Sequence, residues 1–244
     1  MAPSRPAVAL VSALVALPLV ALPACGRDES RRAGGDQGDS FFPLVPGSHW
    51  RYALSTSQGS LQIEVTAKGE ETLPRDGRVA FVMDERSLGP SLGFDEVAPV
   101  AYVIDEGYVG RIHDIGYDGS GKLRALGQNH PTWILPLAPR TGASWDQQNV
   151  LFENPEGEGA RMQWGADVGA LVSLTVPAGS FDGVIEIVSR YYDAATSSHN
   201  PKVIYRDYYA RGVGLIKSVT EDPSGDPGSR IEQVLLDYGF PASP

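Results

Sequence analysis

The chain carries one cysteine, Cys25, and four histidines, His49, His113, His130 and His199. A thiolate is both nucleophile and metal ligand, and a single one leaves no intrachain disulfide and no paired-thiolate metal site. The histidines stand alone, without the i, i+2 or i, i+4 spacings common among metal ligands. They predict ordinary surface or core roles, with no metal and no cofactor. Gly116-Tyr117-Asp118-Gly119-Ser120-Gly121-Lys122-Leu123 has the glycine and lysine spacing of a phosphate-binding loop, but Leu123 replaces the hydroxyl that would hold magnesium. A hairpin tip is expected there. The acidic turns at 114–118, 153–159 and 221–226 do not match the calcium-loop pattern. The letters G-x-S-x-G occur once, at Gly89-Pro90-Ser91-Leu92-Gly93, but between short predicted strands with no helix after them to make a nucleophile elbow, and with 30 Asp and Glu any pairing of carboxylates would be arbitrary. No catalytic residue is predicted.

The position of Cys25 says more than its chemistry. Arg5 precedes a run of small and apolar residues from Val8 to Leu22, broken by Pro18 and followed by Pro23, Ala24 and Cys25. A spanning helix needs about 20 apolar residues, so the layout reads as an export signal. Leu22-Pro23-Ala24-Cys25 resembles the lipobox of bacterial lipoproteins. That resemblance implies a diacylglyceryl group on the Cys25 thiol, cleavage between Ala24 and Cys25, and Cys25 as the first mature residue. Pro23 stands where the family usually has Ala, Ser or Thr, which predicts slower processing. Two or more acyl chains give stable membrane residence. Such families read Asp after the cysteine as inner-membrane retention; Gly26 lacks that mark and favours the outer membrane of a two-membrane cell. Residues 26–40 have no large apolar side chain and cannot repay their own ordering. They form a tether whose span is on the order of 20 Å. The expected organisation is a signal peptide at 1–24, a lipidated flexible tether at 25–40 and an extracytoplasmic β domain at 41–240.

Composition narrows the partners. The formal net charge is −10, from 20 Lys and Arg against 30 Asp and Glu. That argues against nucleic acid, which demands a basic footprint, and against electrostatic docking on anionic head groups. Gly and Pro, 28 and 19 residues, punctuate the chain too often for long helices. Between them lie runs of period-two alternation, such as 50–54 and 61–67, as half-buried strands require. Further strands are predicted at 79–85, 100–105, 109–115, 168–176, 184–192, 202–209, 214–220 and 231–238. Turn pairs such as Asp76-Gly77, Asp118-Gly119 and Asp182-Gly183 suit antiparallel connections. The predicted fold is mainly β: a large antiparallel sheet, half-barrel or barrel, with few or no long helices. Pro43-Leu44-Val45-Pro46-Gly47-Ser48-His49-Trp50 is echoed by Pro136-Leu137-Ala138-Pro139-Arg140-Thr141-Gly142-Ala143-Ser144-Trp145. Both look like a corner that feeds a Trp-led strand into the core.

Tyrosines gather in the C-terminal strands: Tyr191-Tyr192, Tyr205, Tyr208-Tyr209 and Tyr238. Adjacent residues of a strand face opposite ways, and half-buried tyrosines suit amphipathic ligands and protein partners. Tyr192, Tyr205 and Tyr209 are the expected ligand-facing set. Val176-Pro177-Ala178-Gly179-Ser180-Phe181-Asp182 and Tyr208-Tyr209-Ala210-Arg211-Gly212-Val213-Gly214-Leu215-Ile216-Lys217 resemble uncharacterised bacterial lipoproteins with a PAG-x-F turn before a YYA-x-GVG-x-[IV]K strand pair. The resemblance implies a curved sheet of the lipoprotein-carrier kind, an open half-barrel over an apolar cavity, and transfers no catalytic residue. The expected function is non-enzymatic binding of an apolar or amphipathic ligand, or of a cell-envelope partner, by a protein held to the membrane through Cys25. The alternatives are a tethered hydrolase of envelope glycans or esters, and a structural envelope component.

Overall fold

The structure, a computed structural model, describes residues 39–57, 59–74, 77–88, 97–112, 115–125, 131–153, 159–193, 201–224 and 229–242. Cys25 with its flanks, His113, His130 and His199 lie outside the described residues. In chain order the strands are β1 (His49–Thr56), β2 (Gly59–Thr72), β3 (Val79–Leu88), β4 (Val97–Asp105), β5 (Tyr108–Ile112), β6 (Ile115–Tyr117), β7 (Leu123–Ala125), β8 (Pro131–Pro136), β9 (Ser144–Glu153), β10 (Gly159–Val176), β11 (Gly179–Asp193), β12 (Val203–Ala210), β13 (Gly214–Glu221) and β14 (Ile231–Gly239). Every predicted strand is present among the described residues, the one expected at 109–115 being β5, with 113–114 outside them; β6, β7, β8 and β9 are additions. Twelve strands form one antiparallel sheet in the order β8-β5-β4-β3-β2-β1-β14-β13-β12-β11-β10-β9. The sheet is nearly closed and barrel-shaped.

That order contains a repeat. β1 to β5 with β8 make one six-stranded meander, and β9 to β14 make another. The two corners seen in the sequence open them with the same hydrogen bonds. Gly47 N donates to Ala67 O at 2.8 Å and Ala67 N to Ser48 O at 2.9 Å; Gly142 N donates to Val168 O at 2.9 Å and Val168 N to Ala143 O at 2.8 Å. Each corner then sends a tryptophan inward. Trp50 and Trp145 are both buried, and each indole N–H donates to a carbonyl, Val213 O at 2.7 Å and Trp133 O at 3.0 Å.

The halves meet twice. β1 and β14 pair as an ordinary ladder from His49↔Gly239 to Ser55↔Glu232. On the other side β8 and β9 are the sheet's two edges, and side chains bridge them: Gln147 Oε1 accepts from Trp133 N at 3.0 Å, and Gln147 Nε2 donates to Pro131 O at 2.6 Å. With the Trp145 indole bond, one amide and one indole stand in for a backbone ladder. Pro131 and Pro136 fit β8's edge position, because proline cannot donate to a central ladder.

Packing explains the uneven sequence pattern. Phe81 and Met83 face the interior with Trp50, Tyr52 and Val65. Ala80, Val82, Ala101 and Val103 face outward, yet are buried with Leu123 of β7, while Ile115 and Tyr117 of β6 pack against them. The β6–β7 hairpin therefore covers β3 and β4 from outside. A strand buried on both faces reads as a continuous apolar run, as in Val79-Ala80-Phe81-Val82-Met83. The hairpin's tip is the glycine-rich segment expected there: Asp118 Oδ1 accepts from Ser120 N at 2.9 Å, Ser120 Oγ at 2.6 Å and Lys122 N at 3.0 Å.

Candidate functional site

The sheet encloses a cavity of about 570 Å³. That is within the range of roughly 300–1,000 Å³ typical of small-molecule sites. Its wall follows from strand alternation and register. On β12, Tyr205, Asp207 and Tyr209 face the cavity, two residues apart as one face of a strand demands. Asp207 pairs with Ser218 of β13, which pairs with Gln233 of β14, making a polar row across three strands. From the opposite wall Tyr102 pairs with Arg111, which pairs with Thr132. A third row runs Glu85–Val65–Trp50 across β3, β2 and β1. All nine residues of these rows line the cavity.

One end is closed by the segment before β1. Phe42 packs on Tyr102 at 4.8 Å and on Tyr209 at 6.4 Å between ring centroids, joining the two interior clusters. Gly212 N donates to Ser40 O at 2.7 Å, Arg211 Nη1 donates to Asp39 O at 2.9 Å, and the Arg211 guanidinium lies 4.4 Å from the Phe41 ring centroid. Gly212 and Gly214, at φ of 67° and 98°, supply the left-handed turn that brings this corner in. A Cβ on Gly214 would come within 3.5 Å of Pro43. Trp50 and Tyr52 complete the floor, the Tyr52 hydroxyl donating to Leu215 O at 3.0 Å.

Towards the other end Trp164, Tyr191 and Val203 form an apolar row across β10, β11 and β12. Trp164 stacks against Tyr205 at 5.6 Å, and its indole N–H is buried without a hydrogen-bond partner. An orphaned donor of this kind costs about 1–3 kcal/mol unless something accepts from it.

The waist between these layers carries charge. Burial pushes the Asp207 carboxyl up to about 6, against the opposing pull of Ser218 Oγ, which donates at 2.5 Å, and of Arg111. Burial opposes the charge on Arg111, but Tyr102, Glu85, Tyr209 and Asp207 outweigh it and hold the guanidinium above its ordinary value. Burial raises Tyr102 to about 12 and also lifts Tyr52 and Tyr209, so all three remain neutral donors. Ser218 donates to a carboxylate, which orients the acid and does not activate the hydroxyl as a triad would. The arrangement suits holding a molecule with both apolar and hydrogen-bonding parts.

Of the residues singled out in sequence, Tyr205 and Tyr209 are on this wall. On β11 the wall residue is Tyr191, whose ladder partner is Trp164; Tyr192 pairs with Gln163 on the opposite face. Alternation along β11 carries that parity: Tyr191 falls on the face of Ile185 and Ile187, and Tyr192 on the face of Glu186 and Arg190. Arg111, Asp207, Glu85 and Trp164 went unread. Asp207 had a signal, since alternation puts it on the face of Tyr205 and Tyr209. Arg111 had none, because β5 is buried on both faces, Val109 on one and Ile112 on the other, so its pattern does not mark the interior side. Of the histidines, only His49 lies in the described residues, and it is exposed on β1.

The chain is similar in structure to a predicted lipoprotein from Parabacteroides distasonis, at 16% identity and a TM-score of 0.52, over 82% of this chain and 99% of that one. A predicted exported protein with a YMCC-like fold from Bacteroides fragilis is similar at 10% identity and a TM-score of 0.43, over the same 82% and 99%. A β-barrel-like domain of unknown function from Brucella abortus is similar at 8% identity and a TM-score of 0.38, again over 82% and 99%. No protein-family model matches the chain, and no curated protein matches it in sequence. The first likeness is one of fold, and it spans nearly the whole of the similar chain.

Proposed function

We propose that this chain is a lipid-anchored extracytoplasmic protein whose barrel-shaped sheet holds an apolar or amphipathic ligand. The observation that carries the reading is the aromatic cavity, floored by Phe42 and Trp50 and crossed by a polar waist. Apolar side chains left around so large a space are stabilised by an apolar guest, because a void forfeits dispersion contacts that a guest restores. In this reading Tyr205 and Tyr209 face the ligand, and Tyr191 takes the part first given to Tyr192. The address rests on the lipobox resemblance: residues 1–24 are removed, Cys25 is acylated, 25–40 tether the domain and 41–240 fold as one unit, in the outer membrane where there are two. The similarity to a predicted lipoprotein supports that address.

The test is a titration of the purified mature protein with a fluorescent hydrophobic probe, repeated on Thr220→Trp, which fills the cavity beside Tyr205. Saturable binding that the substitution weakens at least tenfold, with an unchanged far-UV spectrum, is expected. Absence of saturable binding to the unsubstituted protein overturns the ligand reading. Intact mass and membrane partition of the full chain, with and without Cys25→Ala, test the anchor separately.

A further inference from the structure

Two carboxylates face one guanidinium inside the barrel. Arg111 projects from β5, Glu85 from β3 and Asp207 from β12 on the far wall, and all three line the same cavity. Their charges act on one another across it, yet among the ion pairs of the described residues none joins Arg111 to either acid. The waist is therefore a gap bordered by a strong donor and two acceptors. Nearer the Trp164 end, the buried indole N–H waits for an acceptor.

We infer that the cavity selects an amphiphile whose head is uncharged and both donates and accepts hydrogen bonds, such as an acylglycerol, over one whose head is a carboxylate or phosphate. This rests on the ligand-binding reading above. An anionic head placed at Arg111 must compete with Glu85 and Asp207 and adds a third negative group to a poorly solvated space, where like charges repel strongly. A cationic head meets Arg111 itself. A hydroxylated head can accept from Arg111 while donating to Asp207 or Glu85, so no buried charge loses its compensation. A second head-group hydroxyl, on the side of the waist away from the floor, supplies the acceptor that Trp164 lacks. The acyl chain then lies along Phe42, Trp50, Val65, Met83 and Leu215. The bias against anions is built from the protein's own acids, and removing them should reverse it.

The experiment compares monooleoylglycerol with its phosphate ester, 1-oleoyl lysophosphatidate, each below its aggregation threshold, by displacement of the fluorescent probe at pH 7.5. The native protein should bind the neutral lipid at least tenfold more tightly. In Glu85→Gln/Asp207→Asn the phosphate ester should gain at least tenfold, with Asp207→Asn alone shifting the ratio the same way by a smaller factor. Thermal melts establish that both variants fold. Equal or tighter binding of the phosphate ester by the native protein overturns the head-group inference and leaves the ligand reading standing. An unchanged ratio in folded variants overturns it too. If neither lipid displaces the probe, the head-group inference falls; if the probe itself does not bind, the ligand reading falls with it.

Discussion

The outer face of β3 and β4 in the first half is apolar and covered by protein, whereas the outer face of β10 to β14 in the second is ionic and open to water. On β3 and β4, Ala80, Val82, Ala101 and Val103 are sealed by the β6–β7 hairpin, whose Tyr117 hydroxyl donates to Asp84 at 2.5 Å. On β10 to β14 the same layer is a run of ion pairs: Asp167 with Arg190, Glu186 and Glu221 with Arg206, and Lys217 with Glu232. One six-stranded plan thus serves two surroundings. The joints differ as well, a backbone ladder between β1 and β14 and a side-chain clamp between β8 and β9. Ladder bonds are secured by strand formation itself, whereas each clamp bond hangs on one side chain. The β8–β9 seam is where the barrel opens most readily.

The two tryptophans test that contrast most strongly. Trp50→Ala should lower the free energy of unfolding by about 4 kcal/mol, as removal of a buried tryptophan does, since it takes the floor from the cavity on the ladder side. Trp145→Ala should lower it by less, and its signature should be faster amide exchange confined to β8 and β9. Equal losses with uniform exchange would erase the distinction between the joints.

Asp207 gives the next effect, with the opposite sign. Its carboxyl is raised to about 6 in the fold, so the folded protein holds this proton more tightly than the unfolded chain does. Ionisation therefore costs stability. The cost is absent below about pH 4, grows between pH 4 and 6, and is complete above, reaching about 3 kcal/mol at most. Asp207→Asn, which still accepts from Ser218, should stabilise the protein at pH 7.5 and leave it unchanged near pH 4, as read by urea unfolding at both values. A variant less stable than the native protein at pH 7.5 would mean that the waist needs this charge.

Gln147→Ala removes two clamp bonds and should cost about 2 kcal/mol, again with exchange loosened at the seam and not at β1 and β14. The smallest effect belongs to the ladder side: Arg51 and Asp237 form an exposed pair across β1 and β14. Arg51→Ala should change stability by less than about 0.5 kcal/mol, because the backbone bonds beneath it hold the joint.

The strands were legible because most have one wet face. In β2 the alternation of Ile63, Val65 and Ala67 with Gln62, Glu64 and Thr66 marks both the strand and its buried side. In β3 both sides are buried, so the strand and the hairpin tip at 116–123 could each be read, but not that the hairpin covers the strand. The repeat showed only in its corners, Gly47 to Trp50 and Gly142 to Trp145, where a tight hydrogen-bonded turn constrains residue types; the strand faces diverged with their surroundings. β8 was hidden by its prolines, which suit an edge that no sequence pattern announces. The site was half visible. Tyrosines at period two announce a wall, while the charge facing them sits on β5, a strand buried on both faces, and meets them only through closure of the sheet.

Native mass spectrometry of the purified mature protein shows whether the cavity holds a guest. A population heavier by one amphiphile, beyond any acyl groups on Cys25, is expected, and it is lost in Thr220→Trp. A single unliganded mass in both proteins, unchanged on adding monooleoylglycerol, would contradict it.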